Sequence, residues 1–260
     1  MQHSSMSSRR LTIRLARTGQ EVRAAQRLRW QVFYEEMGAC PSIAREPGLD
    51  CDDFDDWCDH LLVIDESLDE ACQIVGTYRL LRQERLPHGK NFYSAQEFDL
   101  SDVLLDRGSA GQLLELGRSC VLPAYRTSAT IALLWRGIAD YIALHNIRLM
   151  LGCASFHGTD PHEHALGLSY LAHKHLAPQG CCPRAIGPAS IRMDLLPLGS
   201  YDERAALMTL PPLVKGYLRT GAVIGEGAFI DHSFNTIDVC IVMPVNQITG
   251  RYLAKFSAAA

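Results

Sequence analysis

A glutamate and an arginine stand three residues apart in a β-type run, and their side chains suit proton transfer and anion binding. The run is Gln112–Leu122, and it places Glu115 before Arg118. A carboxylate can take up a proton, and a guanidinium can bind a carboxylate through two parallel hydrogen bonds. Strict alternation would put the two side chains on opposite faces of a sheet, whereas a β-bulge would bring them to one side. The pair is a candidate reaction centre, with a structural ion pair as the alternative.

A second candidate is the acidic loop over residues 38–59, which has no regular periodicity. Six carboxylates fall within ten of its residues: Asp50, Asp52, Asp53, Asp55, Asp56 and Asp59. Because like charges this dense repel one another, the loop could hold a cationic group of a ligand, or it could be a solvated surface loop. The Asp-x-Asp spacing suits Ca²⁺, but the glycine and terminal glutamate of an EF-hand are absent. We expect no metal here.

Histidines and cysteines are frequent but lack metal-binding spacing. The sequence has no His-Glu-x-x-His, and its nine cysteines form no pair of Cys-x-x-Cys knuckles. We expect reduced thiols and no structural zinc. His60 and Asp65 match the His-x4-Asp of glycerolipid acyltransferases, but the residues between them are typical of a buried strand, so we interpret the match as coincidental.

The elements that must position these residues alternate between strands and helices. Predicted strands are 11–17, 60–64, 74–81, 112–122 and 149–156, and predicted helices are 20–37, 127–146 and 162–176. A helix over 202–218, broken by a Pro-Pro pair, and strands at 228–230 and 237–243 follow. This order predicts a mixed α/β fold of packed layers. We divide the chain into a disordered tail (1–10), a core (11–177) and a C-terminal extension (178–260) packed on that core as one structural unit.

Composition narrows the function classes. The chain has 260 residues, 47% of them hydrophobic, and a net charge of -4, so nothing global favours binding to nucleic acid. No apolar run approaches the roughly 20 residues of a membrane span. The first ten residues are polar and lack the apolar segment of a signal peptide. We expect a cytoplasmic protein, with peripheral contact to the inner membrane left open.

Four short motifs resemble the acyl-homoserine-lactone synthases, which have the GNAT fold and use acyl carrier protein (ACP) thioesters. These are Arg29-Trp-Gln-Val-Phe33, Asp50-Cys-Asp-Asp-Phe-Asp55, Arg79 and Glu115-Leu-Gly-Arg118. The resemblance implies a GNAT-like fold with a C-terminal extension. It also implies that Arg29, Phe33 and Arg79 contribute to substrate binding.

Longer blocks are similar to a sister family, the bacterial ornithine N-α-acyltransferases, over roughly residues 11–253. They are 54–60, 115–121, 133–138, 152–156, 210–219 and 234–239. The resemblance implies transfer of a 3-hydroxyacyl group from acyl-ACP to the α-amine of L-ornithine, giving lyso-ornithine lipid. A second acyltransferase would then complete the lipid. Acyl-chain length and oligomeric state stay open.

The resemblance also implies roles for the candidate residues. Aminolysis of a thioester needs a proton acceptor and an oriented amine. Glu115 would receive the proton through water, and Arg118 would anchor the acceptor carboxylate. Asp50, Asp52 and Asp55 would surround the side-chain ammonium of ornithine.

The donor side departs from typical GNAT acetyltransferases. The segment Tyr125–Thr130, where their glycine-rich pantetheine loop would lie, has no glycine. We predict that an ACP phosphopantetheine arm, rather than coenzyme A, binds there, and that the enzyme needs no cofactor of its own. Residues predicted to contact the donor are Arg126, Thr127, Ser128 and Arg136.

Two alternatives remain at this point. One is an acyl-homoserine-lactone-type synthase, which the additional C-terminal region disfavours. The other is a non-catalytic GNAT-like module that binds ACP or a lipid as a regulator, and the presence of Glu115, Arg118 and the acidic loop argues against it.

Overall fold

The structure is a computed structural model that describes residues 9–41, 44–105 and 110–248. Most of the predicted N-terminal tail, residues 1–8, lies outside the described residues, as do residues 249–260. Within the described part of the chain, no helix combines the length and apolar character required to cross a bilayer.

A mixed sheet forms the centre of the molecule, in the order β1-β2-β3-β5-β6-β11-β10-β8, with β9 paired to β11. A separate two-stranded ladder joins β4 and β7. The strand bounds are β1 Leu11–Leu15, β2 Asp59–Asp65, β3 Ile74–Arg82, β4 Phe98–Asp99, β5 Gln112–Val121, β6 Ile147–His157, β7 Arg184–Ala185, β8 Ser190–Ile191, β9 Val223–Ile224, β10 Ala228–Asp231 and β11 Thr236–Pro244.

Helices cover both faces of this sheet. Their bounds are α1 Gly19–Trp30, α2 Ser101–Leu105, α3 Ser128–Leu144, α4 Ala165–Lys174, α5 Glu203–Thr209 and α6 Pro212–Thr220. The chain continues beyond α1 as a π-helical turn, Gln31–Glu36, which is why the predicted helix over 20–37 has two parts. The predicted helix over 202–218 also has two parts, because proline cannot continue a helix at Pro211.

The side chains of β2 alternate between two hydrophobic cores, one on each face of the sheet. Leu61 and Val63 join the large core that includes α3, whereas Leu62 and Ile64 join the smaller core that includes α1. Because successive side chains of a strand point to opposite faces, α1 and α3 lie on opposite sides of the sheet. The predicted mixed α/β fold of packed layers is confirmed.

The sheet divides between β5 and β6, its parallel pair. Their pairing runs from Gln112–Ile147 to Glu115–Leu151 and goes no further, although both strands continue for about six residues. Gly152 lies at the point of separation with φ 156, and a Cβ there would sit 2.2 Å from the carbonyl oxygen of Leu116. Only glycine fits this close approach without a backbone shift.

The C-terminal residues complete the same sheet. Strand β11 pairs antiparallel with β6 over nine residues, from Thr236–His157 to Pro244–Leu149. Residues from both sides of our boundary at 177 therefore share one hydrogen-bonded ladder. This places β11 beside the second half of β6, opposite the gap that β5 leaves.

Candidate active site

A cavity of about 600 Å³ occupies the gap between the diverging halves of β5 and β6. One part of its wall is apolar and comes from the turn after α1, from α3 and from the start of α6. That part includes Val32, Phe33, Met37, Ile131, Leu134, Trp135 and Leu213. The other part is polar and includes Arg79, Glu115, Arg118, Asp231, Thr236 and Asp238.

Buried Arg29 connects α1 to the acidic loop. Its side chain is 0% exposed, with Nε 2.8 Å from Asp50 Oδ2 and Nη2 2.8 Å from Asp55 Oδ2. A capping box at Asp52 and Asp55 forms the helical turn that presents Asp55. Although burial opposes ionisation, the Arg29 and Arg79 guanidiniums hold the pKa of Asp55 well below its usual range.

Arg79 on β3 extends this cluster toward the cavity. Its Nη1 lies 2.6 Å from Asp52 Oδ1 and 3.3 Å from Asp55 Oδ1. His60, its cross-strand neighbour, lies with Nε2 3.1 Å from the Asp55 carbonyl oxygen, and burial lowers the pKa of this imidazole. His60 is therefore a buried structural residue, as its strand pattern predicted.

Arg118 occupies a bulge in β5. Its φ of 48 is left-handed, and the register with β3 shifts at this point. The bulge lets Arg118 and Glu115 line the same cavity. Arg118 Nε lies 3.2 Å from Asp50 Oδ2, and its guanidinium lies 4.7 Å and 4.5 Å from the ring centroids of Tyr93 and Phe234.

Three arginines and three aspartates thus form one charge-balanced cluster, which we call the acid–arginine cluster. Its members are Arg29, Asp50, Asp52, Asp55, Arg79 and Arg118. The repulsion among the loop carboxylates is offset by side chains of the protein itself. The predicted contact of these aspartates with an ornithine ammonium stays a prediction, and it would have to compete with these arginines.

Glu115 is held by hydrogen bonds from the 93–96 turn. Oε1 accepts from the Ser94 backbone N–H (2.7 Å) and hydroxyl (2.6 Å), and Oε2 accepts from the Tyr93 N–H (2.8 Å). Burial raises the pKa of Glu115, and these hydrogen bonds partly offset it. Glu115 therefore fixes Tyr93 over Arg118 and also presents a carboxylate to the cavity.

The predicted donor-side residues lie around the start of α3. Arg126 lines the cavity and pairs with Glu36 at 2.5 Å. Thr127 caps α3, its hydroxyl accepting from the Thr130 N–H, and Ser128 is the first residue of the helix. Arg136 lies two turns further along α3 and is not among the residues that line the cavity.

Sequence reasoning missed a buried acidic pair: Asp238 in the polar part of the cavity wall, and Glu97 next to it. Both side chains are buried, and their carboxylate oxygens lie with Cys153 Sγ within 4.8 Å of one another. Burial and the neighbouring Asp238 carboxylate raise the pKa of Glu97 to about 8, and burial raises that of Asp238 to about 6. The sequence feature that could have indicated Asp238 is its position as a single aspartate within the otherwise apolar run Ile237–Met243.

The cysteines are all in the described part of the chain, and none is in a disulfide. Cys120 and Cys153 line the cavity, and burial raises the pKa of both thiols. Neutral thiols are poor nucleophiles, so the geometry does not favour an acyl-cysteine intermediate.

Comparison with known proteins assigns this fold to the GNAT acyltransferases. Residues 28–136 match the family described as an acetyltransferase (GNAT) domain. A CoA-dependent acyl-homoserine lactone synthase, solved with SAM and isopentyl-CoA, superposes with a TM-score of 0.53 at 14% identity. That match covers 96% of this chain and 88% of the other, and it supports the fold.

Relatives with higher identity narrow the class. The L-ornithine N(alpha)-acyltransferase of Brucella abortus is 48% identical over 253 residues, covering 96% of this chain and 90% of that protein. The protein of the same name from Rhodobacter capsulatus is 46% identical over 243 residues, covering 92% of each chain. The chain therefore belongs to the L-ornithine N(alpha)-acyltransferase family, and the resemblance seen in the sequence is confirmed.

Proposed function

We propose that this acyltransferase joins a fatty acyl group from a thioester donor to the α-amine of L-ornithine. The product would be a lyso-ornithine lipid, which a second acyltransferase would complete. The observation that carries the proposal is the cavity between β5 and β6, in which an apolar wall faces a wall of charged side chains. An acyl thioester and a zwitterionic acceptor need these two environments side by side.

The apolar wall suits the acyl donor. Ile131, Leu134 and Leu213 line the part of the cavity formed by α3 and α6. Burial of methylene groups stabilises a bound chain by about 0.8 kcal/mol each. Phe92 and Phe98 are buried in a separate hydrophobic core and are not among the residues that line the cavity.

The charged wall suits the acceptor. Arg118 faces the cavity between two aromatic rings, and its guanidinium can bind the α-carboxylate of an amino acid. Asp50 and Asp52 hold this guanidinium from behind. The α-amine, next to the carboxylate, then lies near Glu115.

Direct aminolysis requires no covalent enzyme intermediate. The neutral α-amine attacks the thioester carbonyl, a carbon–nitrogen bond forms, and the carbon–sulfur bond breaks. Glu115 accepts the amine proton through water, and the thiolate leaving group takes up a proton to become the free thiol. Burial of Glu115 strengthens it as a base relative to an exposed carboxylate.

The donor thioester in this proposal is an acyl-ACP. Support comes from the glycine-free start of α3 and from Arg126, which is 43% exposed at the cavity. An ACP is acidic, and the Arg126 guanidinium could exchange its contact with Glu36 for one with an anionic group of the carrier. A preference in kcat/KM for acyl-ACP over the matching acyl-CoA would support this choice, and equal values would contradict it.

The decisive experiment incubates the purified chain with 3-hydroxyacyl-ACP and L-ornithine and identifies the product by mass spectrometry. We expect one acyl group on the α-nitrogen, located by fragmentation. Acylation of the side-chain nitrogen, or no ornithine product, would contradict the proposal. S-adenosylmethionine offered in place of ornithine is the matched control, because a homoserine-lactone product would indicate a synthase of the related class.

A further inference from the structure

The buried pair Glu97 and Asp238, of which Asp238 lines the cavity, differs from the other buried carboxylates nearby. The aspartates of the acid–arginine cluster face guanidiniums, and Glu115 accepts three hydrogen bonds. Among the ion pairs of the described residues, none involves Glu97 or Asp238. The Arg118 charge favours the ionised form of both carboxyl groups without pairing with either, and burying a carboxylate that has no paired cation is costly, so such a pair calls for an explanation.

Asp238 presents an acceptor atom to the cavity. Its side chain is 6% exposed, and Oδ1 has no hydrogen-bond partner among the described residues. It lies on β11 opposite Ser155 of β6, and both residues line the cavity wall.

Thr236 is a second buried polar group at this place. Its side chain is 3% exposed and its Oγ1 makes no hydrogen bond of ordinary geometry in the described chain, although its hydroxyl and that of Ser155 lie close enough to Asp238 to lower the pKa of that carboxyl. Residues two apart on a strand point to the same face, so Thr236 and Asp238 stand side by side in the cavity wall. Buried polar atoms are almost always paired, and two unpaired acceptors at one place indicate a ligand that donates hydrogen bonds.

The third member of the site lies behind Asp238. Glu97 follows the 93–96 turn, and the Cys153 thiol donates to Glu97 Oε2 at 3.3 Å. Burial and the two neighbouring carboxylates raise the pKa of this thiol, so it stays neutral and adds no further negative charge to the pair. The site therefore has two acids and a hydroxyl in a buried wall.

We propose that Asp238 and Thr236 bind the side-chain ammonium of the acceptor, with Glu97 behind them as a second acid that becomes charged when the cation binds. An ammonium has three N–H donors and one positive charge, which matches two unpaired acceptors beside a carboxylate pair. The inference rests on the proposed function and deepens it, because it explains a preference for a diamino acid. With Arg118 on the carboxylate and Asp238 on the ammonium, the α-amine is the group left for the thioester.

The same geometry disfavours a metal ion. Glu97, Cys153 and Asp238 have the spacing of a metal-binding group, but a metal would require Cys153 as a thiolate. Burial and the two neighbouring carboxylates hold its pKa well above the ordinary value. An organic cation leaves the thiol protonated and fits the site as it stands.

The test measures kcat/KM for L-ornithine and for L-norvaline, which has the same carbon chain without the side-chain amine. We expect the ornithine-to-norvaline ratio to fall roughly 10²-fold in Asp238→Asn and roughly tenfold in Thr236→Val and Glu97→Gln. These changes keep the shape of each side chain, and circular dichroism checks folding. Asp53→Asn, which removes an exposed carboxylate paired with Arg45, is the control and should leave the ratio unchanged.

Each outcome decides between explanations. An unchanged ratio in the three cavity variants would overturn this inference while leaving the proposed function intact. Wild-type protein that acylates neither amino acid would overturn the proposed function and the inference with it. Loss of activity with a chelator and recovery with a divalent metal would assign the pair to a metal instead.

Discussion

Two buried acidic regions flank one cavity, and they are neutralised in different ways. In the acid–arginine cluster, three aspartates face three arginines of the same chain. At the Glu97–Asp238 pair no arginine or lysine of the described chain forms an ion pair, and burial shifts the carboxyl groups toward their protonated forms. The carboxylates of the first region are neutralised without a ligand, whereas those of the second gain a paired counter-ion only when a cation binds.

The difference separates a structural role from a binding role. A charge-balanced cluster fixes the loop, the turn after α1 and Arg118 in one arrangement. An acidic pair without a counter-ion lowers the stability of the folded protein. A bound cation would restore that stability. Buried charge alone therefore does not identify a binding site, and the presence or absence of an internal counter-ion is the more informative observation.

Removal of Arg29 tests the structural region and has the largest expected effect. Arg29→Met leaves Asp50 and Asp55 buried with fewer counter-ions, so the free energy of unfolding should fall by about 3–5 kcal/mol. Urea unfolding measures it. Arg23, on the same helix as Arg29, forms an exposed ion pair with Glu46, and Arg23→Met should lower the free energy of unfolding far less than Arg29→Met does. Equal losses in the two variants would show that the cluster is not structural.

Glu115 is a third kind of buried acid, held by N–H and O–H donors rather than by a cation. If it accepts the amine proton, Glu115→Gln should lower kcat by roughly 10²–10⁴. Ser94→Ala is the matched variant, since it removes one hydrogen bond from the same carboxylate and keeps the base. Comparable losses in both would indicate that Glu115 acts only by fixing the 93–96 turn.

The pH dependence of stability should have opposite sign in the two regions. Folded Glu97 keeps its proton to about pH 8, whereas the unfolded chain loses it near the ordinary value of 4.5. The unfolded state binds fewer protons in this window, so stability falls as pH rises, by on the order of 4 kcal/mol. Glu97→Gln should flatten the slope between pH 5 and 8, and an unaltered slope would contradict the shift.

Asp55 contributes the opposite dependence at lower pH. Its folded pKa is depressed, so its stabilisation is present above its unfolded value and is lost as pH falls through the folded one. Urea unfolding at pH 3 and 5 should show this loss in the wild type. The two windows do not overlap, and a stability maximum should lie between them.

Arg118 belongs to the structural cluster and also faces the cavity, so its replacement should affect ornithine binding more than folding. Arg118→Lys keeps the charge but loses the planar pair of donors. We expect the ornithine KM to rise about tenfold, near the free energy of one charge-assisted hydrogen bond. Steady-state kinetics with varied ornithine measures it, and an unchanged KM would remove Arg118 from the acceptor site.

Cys153 lies beside the uncompensated pair, and the smallest effect is expected there. The carboxylates keep its thiol protonated, so Cys153→Ser should change kcat less than about threefold. Intact-mass spectrometry during turnover should show no acyl adduct on the wild type. A thiol-labile adduct would instead establish a covalent intermediate.

Local sequence patterns were sufficient to predict many of the strands and helices. Sequence patterns predicted the strands β2 and β3, and period-3.6 spacing predicted α3, because both depend on residues close in the chain. The length of β6 was underestimated. Its pairing with β11 joins residues some 90 positions apart, which no local pattern reveals.

The candidate site was likewise predicted only in part, because some of its residues belong to local motifs and others are brought together only by the fold. Family motifs marked Arg29, Arg79 and the aspartates, and the structure brings them together in one cluster. The sequence could not show that the arginines neutralise the aspartates, since that depends on how α1 crosses the sheet. Glu97 and Asp238 were missed because 141 residues separate them and only the fold makes them neighbours.

The position of β11 in the sheet has a consequence for the order in which the enzyme is made. Arg118 leaves the ribosome about 120 residues before Asp238, an interval of roughly 6–24 s at about 5–20 residues per second. During that interval β6 has no partner on the side where β11 will lie. The part of the cavity wall that contains Thr236 and Asp238 has not yet been made. A nascent chain can therefore fold its α1 layer and its acid–arginine cluster early while it is still unable to select ornithine.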